Sequence, residues 1–197
     1  MNHVQEALRT GVWQAYSAVS TAPQAEHPFP VGRAFAESLG YPADLLAGLP
    51  DAAVDAFAGV SNVAVLADIT AGAVVLDVGC GAGLDSLIAA QRTGPTGRVI
   101  GLDFSQAMLE RARDAAHTAG FHHLEFRQAD AEQMPVGDAA VDVALVNGIF
   151  NLNPARAEIF NELARVVKPG GAVYAAEIIL HEPLPPEEQA DEANWFA

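Results

Sequence analysis

Val74-Val-Leu-Asp77-Val-Gly79-Cys80-Gly81-Ala-Gly83 is the stretch that decides the fold. An apolar, β-branched run ends in an acid, Asp77, and breaks into a loop with glycines at 79, 81 and 83. Branched side chains favour extended backbone, whereas glycine permits a tight turn and lets another molecule approach the main chain closely. A second apolar run, Arg98-Val-Ile-Gly-Leu, ends in another acid, Asp103. This is the outline of a strand, a glycine turn, a helix and a second strand tipped by a carboxylate. In such units the carboxylate hydrogen-bonds the ribose hydroxyls of an adenosine-containing cofactor.

Working outward, strands are read at 73–78, 97–102, 123–128, 141–147 and 171–179, with helices at 84–92, 105–119 and 154–167. Ser105 is an N-cap and Gly120 a stop for the second of these helices. Lys168-Pro-Gly-Gly171 reads as a turn between the last helix and the last strand. Alternation with short connections predicts an α/β fold, a parallel sheet with helices on both faces. Upstream, Val4, Leu8, Val12, Ala15, Tyr16 and Val19 recur at helical spacing, so residues 3–20 form an amphipathic helix ended by Pro23, Pro28 and Pro30. Shorter helical pieces are expected at 32–40, 44–47 and 51–58. The expected organisation is a helical cap over 1–70, a cofactor-binding domain over 71–182 and an acidic tail over 183–197.

The formal net charge of −15, with only ten Lys and Arg, excludes polyanionic partners, because nucleic-acid affinity rests on cationic groups displacing counterions. An anionic membrane surface is disfavoured for the same reason. No leader-like or membrane-spanning apolar run is seen, and a cytoplasmic location is expected. One cysteine, Cys80, allows no intrachain disulfide and no cysteine-rich metal site, so no metal is expected.

The spacing of the glycines separates two kinds of cofactor. A dinucleotide fingerprint needs a small residue three places after Gly81, where this chain has Leu84 followed by Asp85. A pyrophosphate on that helix N-terminus would meet the Asp85 carboxylate, an unfavourable pairing. A cationic or zwitterionic ligand would not, and S-adenosylmethionine, with its sulfonium and amino group, fits. Asp130-Ala131 after the third strand and Asn147 after the fourth also fall at the carboxyl edge of the sheet, where ligands bind in open parallel sheets.

Leu76-Asp-Val-Gly-Cys-Gly-Ala-Gly, Val99-Ile-Gly-Leu-Asp, Gln128-Ala-Asp-Ala and Arg165-Val-Val-Lys-Pro-Gly-Gly resemble the successive motifs of class I S-adenosylmethionine-dependent methyltransferases, over residues 70–180. The resemblance implies a Rossmann-like three-layer sandwich with a mainly parallel sheet of order 3-2-1-4-5; the family's customary last two strands are absent from the reading. It implies that Asp77 and the Gly79–Gly83 loop surround the methionine moiety. Asp103 would hold the ribose hydroxyls, Phe104 would lie against the adenine, and Asp130 with Ala131 would read its amino edge. Asn147 would line the site near the transferable methyl. The candidate cofactor residues are thus Asp77, Gly79, Cys80, Gly81, Gly83, Asp103, Phe104, Met108, Asp130, Ala131 and Asn147, with S-adenosylhomocysteine as product.

From about residue 38 onward the text is similar to the arsenite methyltransferase branch, through Ser38-Leu-Gly-Tyr-Pro, Gly59-Val-Ser-Asn62 and Val146-Asn-Gly-Ile-Phe-Asn-Leu, among other stretches. That branch holds trivalent arsenic on cysteine thiolates, two of which match positions occupied here by Val60 and Gly148. Neither residue can replace a soft thiolate. The expected acceptor is therefore a different small molecule, and Val60, Ile149 and Phe150 point to an apolar one.

No catalytic residue is assigned; Asn147 and Glu177 are the candidates, with a structural role favoured for Glu177. Cys80 is read as a small, buried, inert residue. His122 and His123 are expected to be solvated, and His181 lies nearer the correct edge. Trp13 and Tyr16 are expected to serve helix packing, with capping of the pocket as the alternative, and Tyr41 reads equally as lid or core. The last strand is too apolar for an open edge, so self-association as a homodimer is expected there, the alternatives being a truncated chain or cover by the chain's own ends. Two rival functions stand beside methyl transfer. One is a catalytically degenerate cofactor-binding or interaction protein of the same fold. The other, an NAD-dependent oxidoreductase, is disfavoured by Leu84, Asp85 and the lack of a recognisable Tyr-Lys or His-Asp pairing.

Overall fold

The computed structural model describes residues 3–182. Five strands form one sheet: β1 (Val74–Val78), β2 (Arg98–Asp103), β3 (Leu124–Gln128), β4 (Val141–Asn147) and β5 (Val167–Ala176). Their order is β3-β2-β1-β4-β5 and every pairing is parallel, as expected for this Rossmann-like class. Parallel neighbours need crossovers, supplied by α6 (Leu84–Thr93), α7 (Gln106–Ala119) and α8 (Arg156–Val166). A long helix, α1 (His3–Thr21), and four short ones precede them: α2 (Arg33–Ser38), α3 (Ala43–Ala47), α4 (Asp51–Val54) and α5 (Val63–Leu66).

Alternation along the strands divides the core in two. Val75, Val99, Val143 and Leu145 face one side, against Leu87 and Ile88 of α6 and Leu109 and Ala112 of α7. Leu76, Val78, Ile100, Leu102, Ala144 and Val146 face the other, against Ile159, Leu163 and Val166 of α8. Central strands covered on both faces read as continuous apolar runs, which is why 74–78 and 141–147 are legible as strands. The first cluster also takes in Leu46, Val54, Phe57, Val63 and Ala64, so α3 to α5 extend the same layer. The short α5 has no counterpart in the sequence reading, and the helical piece expected at 51–58 stops at Val54.

The caps follow local chemistry. Ser105 Oγ accepts from Met108 N at 3.4 Å, and Gly120 ends α7 in the left-handed region at φ 72°. The expected turn at 168–171 is corrected: α8 passes directly into β5, and the turn is a bulge inside the strand. Val141 pairs with Val167 and Val143 with Ala172, so four residues carrying Pro169 and Gly170 (φ 84°) are looped out opposite one. Proline cannot donate to the ladder, and Gly170 absorbs the resulting reversal. The strand also stops at Ala176, short of the expected 179.

β5 is an edge. Val173, Ile178, Ile179 and Leu180 are exposed, Ile179 to 86%. Among the described residues no helix is long and apolar enough to cross a membrane, and none of the described His, Cys, Asp and Glu side chains cluster as a metal site. The expected acidic tail at 183–197 lies outside the described residues.

Candidate functional site

A cavity of about 540 Å³ opens at the carboxyl edge of the sheet, above the point where the chain leaves β1 for one direction and β4 for the other. That is the switch point at which parallel α/β sheets bind ligands. Its floor is the glycine loop. Gly79 and Gly81 have φ of 74° and 52°, conformations that side-chain-bearing residues rarely adopt. A Cβ on Gly81 would meet nothing within 4 Å, so this position presents bare backbone to the cavity. Gly83 does not line the wall: a Cβ there would lie 3.1 Å from Ala112 Cβ and Phe126 Cζ, and it serves helix packing instead.

The other candidate cofactor residues, Asp77, Gly79, Cys80, Gly81, Asp103, Phe104, Met108, Asp130, Ala131 and Asn147, all line this one cavity. Asp103 at the end of β2 grips the loop from beneath. Its Oδ2 accepts from Gly81 N and its Oδ1 from Ser105 N, both at 2.8 Å. Burial pushes Asp103 up to about 6, against the lowering effect of those amides. Asp77 accepts from Ser86 Oγ at 2.6 Å and is pushed well up by burial and by the neighbouring charge of Asp85. Cys80 is buried beside these acids; burial, then Asp103 and Asp77, raise its thiol, which is consistent with an inert role.

Asp85, in the first turn of α6, is buried. Tyr41 Oη donates to its Oδ1 at 2.6 Å, Asn147 Nδ2 to its Oδ2 at 2.8 Å, and Ala64 N to Oδ1 at 3.4 Å. Burial raises Asp85, and those three donors partly offset it. Tyr41 is therefore core, and its phenol is pushed far up by burial and by Asp85. Asn147 is placed differently from a free side chain aimed at a reacting methyl. Its Oδ1 accepts from Val60 N (2.8 Å) and Ser61 N (3.1 Å), and its Nδ2 also donates to Ser61 O (2.7 Å). The amide lies against Gly59, where a Cβ would fall 2.6 Å from Nδ2. Asn147 thus clamps the 59–61 loop to the end of β4.

Glu177 is not among the cavity's lining residues; its carboxylate accepts from Asn151 N and Ile178 N at 3.1 and 3.0 Å. Trp13 and Tyr16, expected to serve helix packing, instead line the cavity as part of α1, and Tyr16 stacks on Phe29 at 4.7 Å. His123, expected to be solvated, is partly buried, with Nε2 3.0 Å from Ala90 O. His181 is exposed. Sequence reasoning missed Arg9 and Glu132. Arg9 Nη1 reaches Glu132 Oε1 at 2.8 Å and its Nη2 reaches Asp130 Oδ1 at 2.6 Å. The sequence reading placed a helical cap over 1–70, but nothing local in it ties Arg9 to residues 130 and 132.

Among the described residues the lining carries the acids Asp77, Asp85, Asp103, Asp130 and Glu132 against a single cation, Arg9, itself ion-paired. Such a wall repels a pyrophosphate and suits a ligand that brings positive charge. Glycine backbone for close approach, a strand-end acid and an apolar roof define a Rossmann-like site for a cationic adenosyl cofactor. The residues present fit S-adenosylmethionine.

Residues 69–196 match the family described as "Methyltransferase domain". The chain is 37% identical over 155 residues to an arsenite methyltransferase of Halobacterium salinarum, covering 79% of this chain and 39% of that protein. It is 35% identical over 127 residues to a demethylmenaquinone methyltransferase of Lactococcus lactis, covering 64% and 50%. Among solved structures, the arsenic(III) S-adenosylmethionine methyltransferase CrArsM of Chlamydomonas reinhardtii superposes with a TM-score of 0.62 at 25% identity, over 85% of this chain and 57% of that one. The chain therefore belongs to the S-adenosylmethionine-dependent methyltransferases, with S-adenosylmethionine as its cofactor. It spans half or less of the length of the two sequence relatives.

Proposed function

We propose that this chain transfers a methyl group from S-adenosylmethionine to an apolar small-molecule acceptor other than arsenite. The observation that carries the reading is the contact between Val60 and Gly148. A Cβ built on Gly148 would lie 2.9 Å from Val60 Cγ1, so the two positions that match thiolates of the arsenite branch are neighbours here, without sulfur. An aliphatic side chain and a bare backbone offer a thiophilic centre no ligand, whereas they suit a hydrocarbon surface. Ile149, Leu152, Phe57, Trp13 and Tyr16 line the cavity with Gly148, while Val60 sits behind Gly148 and Phe150 packs on Phe160 instead.

When bound, the cofactor supplies an electrophilic methyl on a sulfonium. The protein's part is to align an acceptor with it and exclude water. In this reading Asp77 and the Gly79–Gly83 loop hold the methionine portion, Asp103 the ribose, Phe104 and Met108 flank the adenine, and Asp130 with Ala131 takes its amino edge. Asn147 and Glu177 act by holding the 59–61 and 148–151 loops. Residues 1–70 serve as the cap and 71–182 as the cofactor domain. The exposed β5 edge with Ile178–Leu180 is the surface through which two copies associate; a monomer by light scattering at micromolar concentration would overturn that part. A cytoplasmic location is part of the same proposal, tested by cell fractionation.

The test of activity has two stages. Calorimetry should register S-adenosylhomocysteine binding. A labelled-methyl screen should then mark an apolar acceptor, with aromatic hydroxyl and quinol compounds tried first, and leave arsenite unlabelled. Absence of S-adenosylhomocysteine binding, or methylation of arsenite, would overturn the reading.

A further inference from the structure

Helix α1 crosses the mouth of the cavity as a roof held at two places. Towards its C-terminus, Val19 is buried in a cluster with Ala56, Ala82 and Met108, Arg111 Nη1 donates to Ser20 O at 3.0 Å, and Ser17 Oγ lies 3.2 Å from Ser105 Oγ. Further toward the N-terminus the tie is Arg9. Its two terminal nitrogens each take one carboxylate, Asp130 Oδ1 and Glu132 Oε1. Glu132 is fixed in turn, since its Oε2 accepts from Asn153 Nδ2 at 2.9 Å. Between these ties α1 turns Val12, Trp13 and Tyr16 to the cavity.

The geometry at Asp130 goes beyond a roof tie. The ion pair with Arg9 uses one oxygen, Oδ1, and so sets the orientation of the carboxylate without consuming its second oxygen. A guanidinium is donor-only, so its hydrogen bond to Oδ1 leaves Oδ2 as a hydrogen-bond acceptor. An adenine 6-amino group needs an acceptor of that kind. A half-exposed aspartate without a partner would rotate freely and lose entropy on binding. Arg9 removes that cost and attaches the roof to the same carboxylate.

We propose that Arg9 is a positioning residue for adenine recognition, orienting Asp130 toward the amino edge of the cofactor while it closes α1 over the site. This rests on the reading of Asp130 given above, and the experiment separates the two. S-adenosylhomocysteine and S-inosylhomocysteine, which carries a 6-oxo group in place of the 6-amino group, are titrated against the wild type, Arg9→Gln, Arg9→Lys and Asp130→Asn. Each variant is first checked for an unchanged melting profile with the far-ultraviolet spectrum of the folded chain.

The wild type should prefer the adenosyl ligand, and Asp130→Asn should abolish the preference. Arg9→Gln should cut the preference by about fivefold, the upper range for an exposed ion pair, with little change for the inosyl ligand. Arg9→Lys should recover part of it, because an ammonium keeps the charge but has one nitrogen where the guanidinium sets a separate one against each carboxylate. If Asp130→Asn abolishes the preference and Arg9→Gln keeps it, the role of Arg9 is overturned while the Asp130 reading stands. If Arg9→Gln weakens both ligands equally, the residue only holds the roof, and the proposal fails. If Asp130→Asn keeps the preference, the assignment of Asp130 itself is wrong.

Discussion

Asn147 Nδ2 donates to Asp85 Oδ2 at 2.8 Å, joining the end of β4 to the first turn of α6 beneath the cavity. The same amide accepts from Val60 N and Ser61 N, so one side chain completes a buried carboxylate and a loop's two main-chain donors. Breaking it leaves several polar groups without partners in a low-dielectric setting, which is the costly direction. Asn147→Ala is expected to lower the unfolding free energy by about 3 kcal/mol, read from urea denaturation. Asn147→Asp should do worse, since it places a second carboxylate beside Asp85. A midpoint for Asn147→Ala equal to the wild type would show that the clamp holds nothing.

The buried acids make stability and binding depend on pH in opposite senses. Asp103 (pushed up to about 6) and Asp77 hold their protons in the folded cofactor-free chain at pH values where the unfolded chain has released them. Their contribution is fully present below about pH 4, the unfolded value, and is lost as pH rises through the folded values. Asp142 and Glu162, lowered chiefly by hydrogen bonds from Lys168 and Arg165, act oppositely and only at the acid end. The melting temperature without ligand should therefore fall from about pH 5 to pH 8, and Asp77→Asn should flatten that fall. Cofactor affinity should rise over the same range, because a cationic ligand favours the ionised acids. A ligand-free melting profile that climbs to pH 8 would contradict this account.

Gly101 in β2 carries a packing constraint invisible in composition. A Cβ there would lie 2.5 Å from Phe126 Cδ1 and 3.0 Å from Cys80 Sγ, with ring and sulfur both confined in the core. Gly101→Ala is expected to cost about 1–3 kcal/mol by overpacking, visible as a lowered melting temperature. Adding Phe126→Leu should recover part of the loss. A neutral Gly101→Ala would mean the two sides give way more easily than the spacing allows.

Val60 and Gly148 supply the converse test of the acceptor reading. Val60→Cys with Gly148→Cys should create arsenite binding that neither single variant has, because two neighbouring thiolates can chelate a soft centre. Gly148 sits at φ 80°, so the double variant should also lose about 1–2 kcal/mol of stability. Arsenite protection of the new thiols against alkylation is the measurement. No protection would separate these positions from the acceptor site.

The sheet was legible in the chain because its central strands are buried on both faces and are punctuated by glycine turns. The five strands and their order agree with what the motifs imply, and all the candidate cofactor residues except Gly83 fall on one cavity. The misses have separate causes. Lys168-Pro-Gly-Gly171 is turn chemistry by any local rule, yet the flanking residues pair with β4 on both sides, and sheet pairing extends across the bulge. Asn147 was placed correctly at a strand end, but nothing local says that an amide there will turn to a loop near residue 60. Arg9 and Glu132 lie 123 residues apart and meet only because α1 folds back over the sheet edge.

The sequence by itself determined the fold class and the cofactor. Both depend on local signals: strand periodicity, glycine spacing, and acids at the ends of strands that topology must bring together. The tertiary structure decided what those residues do once they meet. It made Asp85 a buried structural acid, Asn147 a clamp, α1 a roof tied by Arg9, and Val60 the apolar neighbour of Gly148. Those are relations between distant segments, fixed by how apolar faces close on one another, and no short window of residues contains them.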